Sequence, residues 1–183
     1  MNGWRRHGRG DRLRLVGQLD HREAGLLRAL VEQVLAMLAQ REREAPTDEL
    51  TELTGIRVGP SAPPTDQVLA RLLPDFHRED AELSSVMRSL REPELIEAKT
   101  RAARELLRTC PDGGGRVELD IEQADAWLAA LNDVRLALGT TLGVTEDMPE
   151  DLPQDETLAA HVGVYHWLTF VQDALVQTRA SVL

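Results

Sequence analysis

Apolar residues along this chain recur mostly at helical spacing, broken by two short stretches of period two. Leu13, Leu15, Gly17 and Leu19 alternate with Arg14, Val16 and Gln18, which predicts a strand. Asp20 then stands at an N-cap position with Glu23 three residues on, the pattern of a capping box. Leu27, Leu30, Val31, Val34, Leu35 and Leu38 follow at helical spacing, up to the charged run Arg41 to Glu44 and Pro46. The same order returns one hundred residues later. Val117, Leu119 and Ile121 alternate, Asp120 takes the cap and Gln123 completes the box. Residues 19–38 and 119–138 share six identities in twenty positions: Leu19/Leu119, Asp20/Asp120, Ala24/Ala124, Ala29/Ala129, Val34/Val134 and Leu38/Leu138. Two copies are too few for a solenoid, which needs about three or more. Two strand–helix units, near 13–41 and 116–143, can instead pair their strands and stack their helices. Coincidence between two amphipathic helices is the alternative.

Between the units, residues 55–64 hold three prolines and two glycines and read as a loop. Thr65 or Asp66 can cap a short helix that ends before Pro74. A second helix is predicted from about Arg78 to Leu90. A third runs from Glu94 to Thr109, with Pro93 in the first-turn place where proline is tolerated. Pro111 and Gly113–Gly115 end it. An acidic loop, 146–156, precedes a long C-terminal helix over 156–180, apolar on two adjacent stripes. So wide an arc places that helix at the centre of the domain or in a subunit interface, and so allows a homodimer. The predicted fold is therefore mainly α. It is a compact helical domain of five or six helices with a small two-stranded antiparallel β ribbon from residues near 13–19 and 116–120. That single domain spans 13–183, behind a flexible basic arm at 1–12.

Composition sharpens this picture. The 183 residues are 42% hydrophobic but only 3% aromatic, and 29 Leu with 20 Ala favour helices over sheets. Net charge is −10, distributed as +4 on residues 1–14 and −14 on the rest, which makes direct nucleic-acid binding by the body doubtful. Of 21 basic residues only Lys99 is a lysine. One cysteine excludes an internal disulfide and any Cys-built metal site. There is no run of about 20 apolar residues and no apolar stretch behind the basic N-terminus. A soluble, cytoplasmic protein without membrane contact is expected.

Candidate chemistry is sparse. His161 and His166 lie about 140° apart around a helix and cannot chelate one ion from one face. His7, His21 and His77 have no spacing signature. The carboxylates of 146–156 lack the regular order of a calcium loop and read as a hydrated loop, or as a holder for the basic arm. Arg5, Arg6, Arg9 and Arg12 are candidates for contact with phosphates or an acidic partner, with a solubilising tail as the alternative. Ser84-Ser85 and Thr140-Thr141 lack a base or a nucleophile-elbow glycine. Cys110 is the candidate redox thiol, although a helix C-terminus disfavours the thiolate and suits a small packing residue. No catalytic, cofactor, metal or small-molecule site is inferred.

Several stretches resemble one family. They are Ala130-Leu-Asn-Asp-Val-Arg-Leu-Ala-Leu-Gly-Thr-Thr-Leu-Gly143, Val68-Leu-Ala-Arg-Leu-Leu-Pro-Asp-Phe-His77 and Tyr165-His-Trp-Leu-Thr-Phe-Val-Gln-Asp-Ala-Leu175. With Leu13–Leu38 and the Gly-Arg-Val-Glu-Leu-Asp run at 115–120, they cover nearly the whole chain in order. The chain is similar to the actinobacterial AosR-type oxidative-stress transcriptional regulators, formerly a domain of unknown function. The resemblance implies a cytoplasmic, non-enzymatic regulator that acts by protein–protein contacts with a sigma factor or RNA polymerase. The family's sensing relies on a C-x-x-x-C pair, whereas this sequence has only Cys110, so that switch is absent here. The alternative function is a structural or adaptor protein of cytoplasmic protein quality control with no promoter role.

Overall fold

The computed structural model describes residues 2–45, 58–145 and 155–182. Three strands, β1 (Asn2–His7), β2 (Arg14–Leu19) and β3 (Gly115–Leu119), form one antiparallel sheet in the order β1-β2-β3. Among the described residues five helices adjoin it: α1 (His21–Arg43), α2 (Gln67–Leu72), α3 (Ala81–Thr109), α4 (Ile121–Leu142) and α5 (Glu156–Ala180). The mainly helical class with a small antiparallel sheet is as the sequence pattern predicts.

Both capping boxes form. Asp20 accepts from the Glu23 N–H at 2.8 Å while Glu23 accepts from the Asp20 N–H, and Asp120 and Gln123 repeat the exchange. β2 and β3 pair so that Gly17 lies opposite Val117, its own counterpart one hundred residues on. A local two-fold axis between those residues therefore relates the two paired strands. Leu19 and Leu119, and Ala24 and Ala124, are all buried at equivalent places under it.

Two expectations are corrected. Residues 2–7, read as part of a flexible arm, form the third strand instead. The reason is Trp4, which is buried over Gly17 and against Trp127 and so holds an arginine-rich segment on the sheet edge. The two helices expected on either side of Pro93 are one continuous helix, α3. A mid-helix proline leaves the carbonyl four residues earlier without its donor. Here that carbonyl, on Ser89, accepts from the Gly59 N–H at 2.8 Å. The segment after residue 57 thus repairs the break, and Gly59 lies so close that a Cβ there would sit 3.1 Å from the Pro93 ring.

Helix α4 is the hub: it packs on α1, α2, α3 and α5 and reaches β2 and β3. The last helix is not central. It packs on α4 and the sheet through Val162, Leu168, Val171 and Leu175, and leaves Phe170 and Val176 exposed. Asp155 caps it, accepting from the Leu158 N–H at 2.7 Å. The rest of the acidic loop, 146–154, lies outside the described residues.

Candidate partner-contact surface

The alternation of the sheet builds a charged outer face. Leu15, Gly17 and Leu19 point to the core, so Arg14, Val16 and Gln18 point away. Arg5 lies opposite Val16 from β1, while Glu118 and Arg116 lie opposite Val16 and Gln18 from β3. Arg116 and Glu118 are paired at 2.6 Å, which leaves Arg5 and Arg14 as the cations of this face without an ion pair among the described residues. A shallow groove of about 360 Å³ runs here, lined by Arg5, His7, Val16, Gln18 and Arg116 among others.

The four candidate arginines are only partly brought together. Arg6 turns to the C-terminal end of α5, where its Nη1 donates to the Ser181 carbonyl at 3.2 Å. Arg9 and Arg12 are exposed around the 3-10 turn Gly10–Arg12 that joins β1 to β2. Arg14, beside them, donates to the carbonyls of Leu13 and Asp11 at 2.6 and 3.1 Å. Arg5, Arg9 and Arg12 are therefore exposed on a strand and the turn that follows it.

Cys110 is the C-cap residue of α3 and belongs to the hydrophobic core, 3% exposed. Burial pushes its thiol pKa up, with nearby Arg28 opposing in part. Arg28 also closes the helix end. Its Nη1 donates to the carbonyls of Leu107 and Cys110 at 2.7 and 2.8 Å, and its Nη2 pairs with Asp112 at 2.9 Å. Cations suit a helix C-terminus because the last carbonyls there lack intrahelical donors. The surroundings keep the thiol covered.

Sequence reasoning missed a buried charge network. Glu92, fully buried, accepts from Arg41 Nε at 2.7 Å and from Arg88 Nη1 at 2.5 Å. Arg88 continues to Asp75 at 2.7 Å and the Leu73 carbonyl at 3.1 Å, and Arg41 to Glu44 at 2.8 Å and the Ala62 carbonyl at 2.5 Å. The network ties α1, α3, the segment after α2 and the proline-rich loop together. The spacing of Arg88 and Glu92 by four was the only signal, and it reads equally as an exposed helix pair. The lone lysine is also structural: Lys99 Nζ meets buried Asp133 at 2.6 Å across α3 and α4. Burial raises the Asp133 carboxyl, and the Lys99 bond opposes that rise.

The fold is thus a mainly α-helical domain with an adjoining three-stranded sheet. Among the described residues no three His, Cys, Asp or Glu side chains gather as a metal site, and no helix is long and apolar enough to cross a membrane. The chain belongs to the DUF2017 family, a domain of unknown function whose model matches residues 1–179. The "Oxidative stress regulator AosR" of Mycobacterium tuberculosis (strain ATCC 25618 / H37Rv) is 44% identical over 186 residues, covering 94% of this chain and 85% of that protein. The protein of the same name from Mycobacterium bovis matches equally, and a relative from Mycobacterium leprae is 41% identical over 167 residues, covering 84% of this chain and 77% of its own length. No solved structure matches.

Proposed function

We propose that this chain is a cytoplasmic, non-enzymatic regulator of the oxidative-stress response, acting on transcription through a sigma factor or RNA polymerase. The observation that carries this reading is 44% identity across 94% of the chain to proteins named oxidative stress regulators. Electrostatics favour a protein intermediary over autonomous DNA binding, because the chain carries −10 overall. Arg5, Arg9 and Arg12 are the residues assigned to an acidic partner surface. Cys110 has no second cysteine in the chain, so any redox control here runs through an intermolecular bridge, another modification or a partner's thiols.

The test is a pull-down of polymerase holoenzyme on the full chain, with and without peroxide. Recovery of a sigma factor or polymerase subunit, weakened in an Arg5→Glu/Arg9→Glu/Arg12→Glu variant, is expected. Absence of sigma factor and polymerase from both samples overturns the reading and leaves an adaptor without a promoter role.

A further inference from the structure

The two edges of the sheet are finished differently. At the outer edge of β1, the Trp4 carbonyl accepts from Thr178 Oγ1 on α5 at 3.2 Å, and the pairing with β2 is interrupted between Asn2 and Arg5. A break in the ladder and a bond from a neighbouring helix both hinder further pairing at a strand edge. Among the described residues β3, at the opposite edge, shows neither. It pairs with β2 without interruption from Gly115 to Leu119, and no backbone group of Arg116, Val117 or Glu118 bonds to anything outside that ladder. In an antiparallel ladder about half of an edge strand's N–H and C=O groups point away from its neighbour. β3 therefore carries a short row of donors and acceptors that a further strand can pair with.

The side chains of β3 select the occupant. Val117 is buried on the core face, while Arg116 and Glu118 stand on the outer face with 55% and 50% of their side chains exposed. A second copy running antiparallel beside β3, with its core face on the same side, must set outward residues opposite outward ones. A register centred on Arg116 opposes two arginines, and one centred on Glu118 opposes two glutamates. Centred on Val117, Arg116 lies opposite Glu118 of the partner subunit, and Glu118 opposite Arg116 of the partner subunit. Arg116 already pairs with Glu118 of its own strand at 2.6 Å. The added strand completes a square of alternating charge, in which each group has an opposite neighbour along its strand and across from it. On the other side, β2 sets uncharged Gln18 and Val16 opposite Arg116 and Glu118, so that strand brings no competing charge. We infer that β3 pairs antiparallel with β3 of a second copy about Val117, joining two three-stranded sheets into one of six strands. So short an edge makes a small interface, and the dimer forms as concentration rises rather than being permanent.

Sedimentation velocity of the full chain from about 1 μM to about 1 mM reads the association. The parent is expected to pass from monomer to dimer across that range, with amides of residues 116–118 gaining protection from hydrogen exchange as it does. Arg116→Glu and Glu118→Arg change exposed positions only and are checked for the circular dichroism of the parent. Each sets like charges opposite one another and is expected to weaken the dimer about tenfold. The double variant Arg116→Glu/Glu118→Arg is expected to restore it. An equal mixture of the two single variants, which presents acids to bases, is expected to do the same. General repulsion between two acidic molecules acts otherwise: Arg116→Glu would weaken the dimer and Glu118→Arg would strengthen it. That outcome overturns the assignment, as does a dimer indifferent to all three variants or a parent that stays monomeric to the top of the range.

Discussion

Trp4 meets Trp127 edge to face, with ring centroids 5.5 Å apart and planes at 83°. One ring comes from the edge strand and the other from the hub helix α4, so the contact fastens the N-terminus to the core. Trp4 also lies flat enough over Gly17 that a Cβ there would sit 3.0 Å from its ring, and its carbonyl accepts from Thr178 Oγ1 at 3.2 Å on α5.

Trp4→Ala is expected to destabilise the chain by about 3–5 kcal/mol, the usual cost of truncating a buried tryptophan. Trp4→Phe is expected to cost much less, because the Trp4 Nε1 is buried with no partner among the described residues and phenylalanine removes it. Urea denaturation of both variants checks this. Equal stability of Trp4→Ala and the parent would return residues 2–7 to the status of an arm.

Glu92 joins two arginines in a place with no solvent. Removing it by Glu92→Ala leaves two buried guanidinium groups facing one another, and the expected loss is about 3–5 kcal/mol. Replacing the three members together, Arg41→Met/Arg88→Met/Glu92→Leu, is expected to recover most of that loss, since the carboxylates then left without a partner, Asp75 and Glu44, are solvent-exposed and no buried charge remains. Denaturant midpoints of the single and triple variants decide the point.

What could be read from the sequence was local. Capping boxes at Asp20 and Asp120, the Asp66 cap and the alternation of β2 and β3 each announce themselves within a few residues, and the structure places them as expected. What could not be read depends on a distant partner. β1 exists because Trp4 finds Gly17 and Trp127, and α3 runs through Pro93 because Gly59 supplies a donor from another segment. The same holds for the candidate site. The arginines near the N-terminus were visible as a charge cluster, but only the pairing with β2 shows that Arg5 faces outward while Arg6 reaches α5. The buried charge network was equally hidden, because Arg88 and Glu92 at that spacing suit a surface as well as a core.

Cys110 is expected to resist alkylation in the folded chain. Its thiol is covered, and burial moves its pKa above the ordinary cysteine value, which lowers the reactive thiolate fraction near neutral pH. Iodoacetamide labelling at about pH 8 should be at least roughly tenfold slower in buffer than in denaturant. Labelling at the same rate in both would show that the C-cap of α3 opens readily, and would restore Cys110 as a redox-accessible thiol.

Asp133 should leave a mark on the pH dependence of stability. Its carboxyl holds a proton more readily in the folded chain than in the unfolded one, because burial outweighs the bond from Lys99. A raised carboxyl contributes stability that is fully present below the ordinary aspartate value and is lost as pH rises through the folded value. The stability of the parent minus that of an Asp133→Asn variant is therefore expected to shrink as pH rises from about 3 to about 7. Denaturant titrations of both chains across that range measure the difference, in which the other carboxylates cancel. A difference that grows with pH would mean that Lys99, at 2.6 Å, governs the pair, and that the Asp133 carboxylate is favoured by its counter-ion more than it is penalised by burial.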